Sequence, residues 1–147
     1  MNPERLRFFL LTLPHVSETM QWGANLVFWI GDKAVGGKMF AVINLDEPTA
    51  DEASGRRTRR IASFAAGPER FAELVEKDGL LPAPYLARAH WVAAERWDVF
   101  TIAEWQDELR AAHAIVFGKL TGRLRHQLAN ASIRRVEPVR QVGLRSS

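Results

Sequence analysis

The sequence predicts an α+β domain in which an antiparallel sheet carries helices packed on one of its faces. Three observations predict this fold class. The predicted elements run in the order helix, three or four strands, helix, strand, helix. Consecutive strands without a crossover helix between them favour antiparallel pairing. The chain has 147 residues, 47% of them hydrophobic, which is enough to bury the core of one domain.

Two short helices are predicted from their end signals. Asn2 and Pro3 fit an N-cap followed by a first-turn proline, and this first helix stops at Pro14. Gly67-Pro68-Glu69 starts a second helix, and Asp78-Gly79 ends it.

The third helix has the clearest pattern. Thr101 and Glu104 stand at capping-box spacing, and apolar residues then follow at steps of three and four until the helix ends near Gly122. Its acidic residues Glu104, Asp107 and Glu108 fall opposite the apolar stripe, so we interpret them as a solvated helix face and not as a catalytic pair.

Strand-forming residues are separated by turn signals. The predicted strands cover residues 19–22, 25–30, 38–45, 58–66 and 90–97. Either Gly31-Asp32 or Gly36-Gly37 could carry the hairpin turn. Residues 80–86 are predicted as a proline-containing connection. In the last strand, Trp91 and Trp97 should lie on the same side because side chains alternate with a period of two.

The composition excludes several kinds of site. The chain contains no cysteine, which rules out disulfides, thiolate nucleophiles and zinc–thiolate centres. None of the four histidines stands at a metal-ligand spacing, so we predict no metal and no cofactor. The glycine-rich residues 31–39 do not match a phosphate-binding loop, because the spacing is one residue too long and no Ser or Thr follows the lysine. We predict a protein that is not an enzyme.

The amino terminus has no apolar stretch of the signal-peptide type, and no apolar run approaches the length of a membrane-spanning helix. We therefore expect a cytoplasmic protein without a membrane partner, and we expect a monomer.

A run of arginines between two predicted elements is the densest cluster of charge. One interpretation is a nucleic-acid-binding edge that contacts phosphates together with lysines of the preceding hairpin. The other is an edge strand that charge protects from aggregation, with its arginines paired to nearby loop acids. The residues of the proposed nucleic-acid site are Lys33, Lys38, Arg56, Arg57, Arg59 and Arg60.

The carboxyl-terminal part of the chain is also basic. From Lys119 onward only Glu137 opposes a series of arginines. We predict a domain over residues 1–122 and a basic extension, partly disordered, over residues 123–147. This extension could add to a nucleic-acid surface or could serve only as a solubilising tail.

An ordered set of short stretches resembles the MmcQ/YjbR family over about residues 3–122. No single stretch is decisive, but their order is fairly specific. They are Leu13-Pro14-His15-Val16-Ser17-Glu18, Trp22-Gly23, Val27-Phe28, Gly37-Lys38-Met39-Phe40-Ala41, Asn44-Leu45-Asp46-Glu47, Gly67-Pro68-Glu69, Pro82-Ala83-Pro84-Tyr85-Leu86, His90-Trp91 and Lys119-Leu120.

The resemblance implies a CyaY-like fold, with a twisted antiparallel sheet backed by helices. It also implies DNA binding, because the family has been described as carrying a double-wing motif, and it brings no family-wide enzyme activity. Iron handling of the frataxin type is not expected, since the first helix offers Glu4 followed by Arg5 and Arg7 instead of an acidic ridge.

The motifs of the resemblance suggest a second function, a binding module for a small ligand or a partner protein. If their aromatic, cationic and imidazole side chains converge on one exposed cleft, that cleft would suit an anionic or planar ligand. The alternative is that the rings belong to the core, and the exposure of Trp91 separates the two. The residues of this candidate site are Trp22, Lys38, Phe40, His90 and Trp91.

Overall fold

The computed structural model describes residues 1–46 and 60–131, and within them a single sheet of six strands. Every neighbouring pair is antiparallel, and the strand order across the sheet is β1-β2-β3-β4-β6-β5. The strands are β1 (Val16–Gln21), β2 (Asn25–Ile30), β3 (Lys38–Asn44), β4 (Ala62–Ala65), β5 (Leu80–Pro82) and β6 (Trp91–Ala94).

Four helices of the described residues pack on this sheet. They are α1 (Pro3–Thr12), α2 (Pro68–Leu74), α3 (Ile102–Lys119) and α4 over residues 122–131. The predicted α+β class with an antiparallel sheet and packed helices is therefore confirmed. In the part of the chain that the structure describes, no helix is long and apolar enough to cross a membrane.

The predicted starts of α1 and α3 are confirmed by their capping bonds. The side chain of Asn2 accepts a hydrogen bond from the backbone N–H of Arg5 at 2.8 Å. At α3, the Thr101 hydroxyl accepts from the Glu104 N–H at 3.1 Å, while the Glu104 carboxylate accepts from the Thr101 N–H at 2.8 Å. These bonds satisfy N–H groups that the first turn of a helix leaves unpaired.

The sheet has two unlike faces, which we call the helix face and the open face. Cross-strand partners share a face, so Ala41 and Phe64 lie together on the helix face, where the Phe64 ring meets Trp105 of α3 at 6.3 Å. Val42 and Ser63 are the next pair and point the other way, to the open face. The alternation of side chains therefore separates the two faces, except at a register shift between β2 and β3, where the consecutive residues Phe40 and Ala41 both lie on the helix face.

The β2–β3 connection uses both glycine pairs that the sequence offered. Gly31 and Gly36 adopt positive φ angles of 76° and 97°, on either side of a 3₁₀ turn over Lys33–Val35. Gly37 is needed for a different reason, since a Cβ there would lie 2.3 Å from the carbonyl oxygen of Gly31. Glycine at position 37 therefore allows the two ends of the turn to approach each other closely.

The last predicted strand is shorter than expected. The ladders of β6 with β4 and with β5 both end at Ala94. Trp97 instead begins a 3₁₀ turn, and its ring packs on Trp105 at a centroid distance of 5.4 Å. The prediction that Trp91 and Trp97 share a side is therefore wrong, because period-two alternation stops where the strand does. The connection predicted over residues 80–86 contains the edge strand β5.

Glu108 does not belong to a solvated helix face. Its side chain is only 9% exposed and forms an ion pair with Arg70 of α2, which also contacts Glu73 at 2.8 Å. The sequence analysis assumed that α3 is buried only along its apolar stripe. In the structure, Arg70 of α2 also lies against α3 and pairs with Glu108.

The predicted boundary at Gly122 falls at the start of α4. Leu124 of this helix is buried in the core, and Leu128 packs against the core from outside. Residues 122–131 are thus a packed part of the fold. The remainder of the predicted extension, residues 132–147, lies outside the described residues.

Candidate ligand-binding groove on the open face of the sheet

The open face carries a groove made of two adjoining cavities. The larger has a volume of about 490 Å³ and the smaller of about 400 Å³. Trp22, Met39 and Leu86 line both of them, which makes the two cavities parts of one groove. This volume is within the range of small-molecule sites.

The floor of the groove is apolar because the open face of β2, β3 and β6 presents large side chains. Met39 and Val42 line the larger cavity, whereas Trp29 and Trp91 line the smaller one. The indole N–H of Trp29 donates to the hydroxyl of Thr19 at 2.8 Å, which fixes the ring against the sheet. A flat, apolar surface of this kind suits the face of a planar ligand.

Two exposed aromatic residues stand beside this floor. Trp22, in the turn between β1 and β2, is 64% exposed, and Tyr85, in the loop between β5 and β6, is fully exposed. Both have left-handed backbone, with φ angles of 51° and 66°. Bulky residues rarely adopt this conformation, which costs about 1–3 kcal/mol. Among the described residues, His15 and His90 also adopt it, outside the groove.

Hydrogen bonds around the two aromatic residues hold this backbone in place. The Asn25 side-chain amide donates to the carbonyl of Trp22 at 2.9 Å. The Tyr85 loop is fixed at its start by the Ala83 N–H, which donates to the carbonyl of Trp91 at 3.0 Å, and Leu86 N–H donates back to Ala83 at 3.1 Å. The surrounding structure therefore maintains a strained conformation that exposes two rings to solvent.

The charges that line the groove are all positive. Lys33 and Lys38 lie at one end, and Arg60 lies at the other. Within the described residues, no Asp or Glu lines either cavity. The ammonium of Lys33 lies 5.4 Å from the centroid of the Trp29 ring, in a cation–π contact.

Four arginines elsewhere in the described structure form ion pairs with carboxylates, whereas Arg5, Arg88, Arg123 and Arg125 form none with any described residue. Hydrogen bonds to Glu108 and then Glu73 raise the pKa of Arg70, which stays ionised. By contrast, the three basic residues of the groove form no ion pair with any residue the structure describes. The paired arginines are Arg7, Arg70, Arg96 and Arg110.

Three of the six residues of the predicted nucleic-acid site lie along the groove. Lys33, Lys38 and Arg60 border the same groove. Arg56, Arg57 and Arg59 lie outside the described residues.

The predicted ligand-binding set divides into two groups. Trp22, Lys38 and Trp91 line the groove, but Trp91 is only 5% exposed, so for this ring the structure favours the alternative that it belongs to the core. Phe40 is fully buried on the helix face, where its ring meets His113 at 5.4 Å, so it cannot touch a ligand in the groove. His90 does not line the groove either, since its ring packs on Phe71 of α2 at 5.5 Å.

Sequence reasoning missed the second aromatic wall. Tyr85 falls in a stretch that the sequence predicts only as a proline-containing connection, and no periodic pattern indicates that this loop lies over the sheet. Met39 and Val42 belong to a predicted strand, but their face could not be assigned without the strand order. In the described part of the chain, no group of His, Asp and Glu residues could hold a metal ion.

Comparison with known proteins agrees with this fold. A crystal structure of the Deinococcus radiodurans protein DR2400, described as a DUF419 domain, is similar, with a TM-score of 0.69, 23% sequence identity and 86% of each chain covered. At this identity the likeness shows the fold alone. No curated protein matches the chain. The family model YjbR, however, matches residues 11–118, which is most of the sequence, and the resemblance seen in the short motifs is confirmed. The chain belongs to the YjbR family.

Proposed function

We propose that this protein is a non-enzymatic, cytoplasmic binding module that takes a planar, anionic small molecule into the open-face groove and acts as a monomer. One observation supports this most strongly. Trp22 and Tyr85 are exposed beside an apolar floor in a backbone conformation that opposes folding, and the charged residues that line this groove in the described part of the chain are cations.

The physical argument rests on complementarity. A flat ring placed on Met39 and Val42 gains contact area from the floor and stacking from the two aromatic side chains. An aromatic pair contributes about 0.5–1.5 kcal/mol beyond the area that it buries. The basic residues at the ends of the groove attract an anion and have no carboxylate among the described residues with which to pair instead.

A catalytic role has little support in the groove. His90, a histidine of the predicted ligand-binding set, packs on Phe71 and does not line either cavity. General acid–base chemistry needs a titratable group within hydrogen-bond reach of the substrate. Arg60, Lys33 and Lys38 are better suited to binding an anion than to transferring a proton.

The proposal is tested by titrating the protein with 1-anilino-8-naphthalenesulfonate, a planar aromatic anion, and following its fluorescence. We expect binding to one site, weakened about tenfold by Trp22→Ala and by Tyr85→Ala, which corresponds to about 1.4 kcal/mol per substitution. Phe8→Ala is the matched control, because Phe8 is an exposed aromatic residue of α1, outside the groove. Equal binding by all four proteins would contradict the proposal.

Nucleic-acid binding is a second candidate, and the set of unpaired basic residues favours it. Lys33, Lys38 and Arg60 could contact phosphates along the open face, and Arg59 directly precedes Arg60 in the sequence. Such contacts give affinity without reading the base sequence, and the affinity falls steeply with salt.

Fluorescence anisotropy with a labelled duplex DNA tests this candidate at two salt concentrations. We expect binding at micromolar protein in ~50 mM salt and a loss of at least tenfold at ~200 mM salt. The absence of binding at the lower concentration would refute it, and the groove would remain a small-molecule site.

A further inference from the structure

The Arg60 end of the groove continues into a smaller, polar cavity. We infer that this cavity is a subsite for the oxyanion head group, a phosphate monoester or a carboxylate, of a ligand whose flat body lies between Trp22 and Tyr85. This inference rests on the proposed function and specifies which end of the groove holds the anion. The subsite is lined by Asn25, Val42, Asn44, Arg60, Ala62 and Ser63.

The dimensions of the subsite fit a small head group. Its volume is about 170 Å³, and it joins the larger cavity of the groove, with which it shares Asn25, Val42, Arg60 and Ser63. A water molecule in the liquid takes up about 30 Å³, so the space holds an oxyanion with few waters beside it. A ligand body in the groove can therefore place a terminal acid here without crossing a barrier of side chains.

Strand pairing brings the polar groups of the subsite together. Asn25 and Asn44 are direct cross-strand partners on β2 and β3. Ser63 of β4 pairs with Val42, one strand further on. Arg60 precedes Ile61, whose carbonyl accepts a hydrogen bond from the Asn44 N–H at 2.9 Å. The register of three adjacent strands thus fixes the positions of Asn25, Asn44 and Ser63, and Arg60 lies two residues before β4 begins.

These side chains are rich in donors and carry one positive charge. The Arg60 guanidinium has five N–H donors and the Ser63 hydroxyl adds one. The Asn44 side-chain oxygen accepts from the backbone N–H of Asp46 at 2.8 Å, which leaves its amide hydrogens as donors. No carboxylate lines the cavity among the described residues. An oxyanion could satisfy several of these donors at once.

Asn25 links the subsite to the aromatic wall. Its side-chain amide donates to the carbonyl of Trp22, the residue held at a positive φ angle. The same side chain therefore lines the head-group cavity and supports the turn that presents the indole to the ligand body.

The lysine end of the groove is a weaker candidate for the head group. Lys33 is already placed over the Trp29 ring, and each lysine presents a point charge instead of a planar fork of donors. An arginine presents a planar fork that matches two oxygens of a carboxylate or phosphate. Lys38 and Asn44 are the first and last residues of β3 and lie about 20 Å apart at the rise of an extended strand, so one small head group cannot use both ends.

Isothermal titration with two pairs of ligands tests the inference and distinguishes the two sources of the anion. Adenosine 5′-monophosphate is compared with adenosine, and 2-naphthoate with 2-naphthamide. The wild type should bind at least one anion about tenfold or more tightly than its neutral partner. Arg60→Gln should remove this preference, and Arg60→Lys should weaken the anion about tenfold because the charge remains without the fork. Arg5→Gln, which removes an exposed arginine of α1 outside the groove, should change nothing.

The outcomes separate the subsite from the groove. If Arg60→Gln keeps the full preference for the anion, or if the wild type binds both members of each pair equally, the subsite is refuted. If the neutral partners still bind and Trp22→Ala weakens them, the aromatic groove remains and only the head-group assignment is lost. If no ligand binds the wild type at millimolar concentration, the inference is refuted, and the planar-anion function with it. Unchanged thermal unfolding midpoints for the Arg60 variants would show that the losses arise in the site.

Discussion

Both faces of the sheet carry tryptophan side chains, but these side chains lie in different environments. On the helix face, Trp105 is 0% exposed, its ring lies among Phe64, Phe100 and Trp97, and its indole N–H donates to the Trp97 carbonyl at 2.9 Å. On the open face, Trp22 projects into solvent from strained backbone. The rings of the helix face are buried in the core and stabilise the fold, whereas the exposed indole of Trp22 contributes little to the core, and we propose that it binds a ligand.

Charged groups follow the same division. Arg70 joins α2 to α3 through Glu108, and its charge is satisfied inside the molecule. Arg60 at the open face has no carboxylate partner among the described residues. The comparison predicts that substitutions on the helix face change stability and that substitutions in the groove change binding.

The largest expected effect is at Trp105. Trp105→Ala should lower the free energy of unfolding by about 3–5 kcal/mol, because it removes a fully buried ring and leaves a cavity in the core. Urea denaturation measures this loss in the free energy of unfolding. The control is the same substitution on the open face, Trp22→Ala. A loss at Trp22 as large as the loss at Trp105 would mean that the two faces do not differ as described.

The ion pair between α2 and α3 should give the next largest effect. Glu108→Ala should cost about 1–3 kcal/mol, because it removes the buried carboxylate that satisfies Arg70. Glu73→Ala removes an exposed carboxylate from the same arginine and should cost less than about 0.5 kcal/mol. Equal losses, measured by urea denaturation, would show that burial of Glu108 contributes nothing.

A smaller effect is expected at the start of α3, the helix that covers the middle of the sheet. Thr101→Ala should cost about 1 kcal/mol, since it removes the N-cap acceptor of the Glu104 N–H. The affinity of the groove for 1-anilino-8-naphthalenesulfonate should not change. A change in affinity at constant stability would contradict the separation of the two faces.

The same cap makes stability depend on pH. The hydrogen bond from the Thr101 N–H lowers the pKa of Glu104 below its usual value of 4.5. A carboxyl group whose pKa is lowered by folding stabilises the protein above its unfolded pKa, and this contribution is lost as the pH falls through the folded pKa. Urea midpoints measured from pH 6 down to pH 3 should therefore fall more for the wild type than for Glu104→Gln. If the urea midpoint falls equally with pH in both proteins, Glu104 does not contribute to the pH dependence of stability.

Local signals predicted the parts of the fold that depend on neighbours in the sequence. The capping box at Thr101 and the strand over residues 25–30 were both predicted from sequence and found in the structure. The pairing of Glu108 with Arg70 was missed because the partners are 38 residues apart. The groove was predicted only in part, since Trp22, Lys38 and Trp91 were among the predicted ligand-binding residues and Tyr85 was not. Its walls depend on turn conformations and on a loop that returns over the sheet, and neither leaves a periodic pattern.

Tyr85 provides the most direct test of the central claim. The claim is that strained backbone on the open face lowers stability while it presents aromatic rings to the proposed ligand. Tyr85 is fully exposed and has a φ angle of 66°, so its ring contributes little to folding while its backbone opposes it. Tyr85→Gly should relieve this strain and raise the free energy of unfolding by about 0.5–1 kcal/mol relative to Tyr85→Ala, which lacks the ring but keeps the Cβ. Urea denaturation of the two variants gives this difference. A Tyr85→Gly protein that is less stable than Tyr85→Ala would contradict the claim.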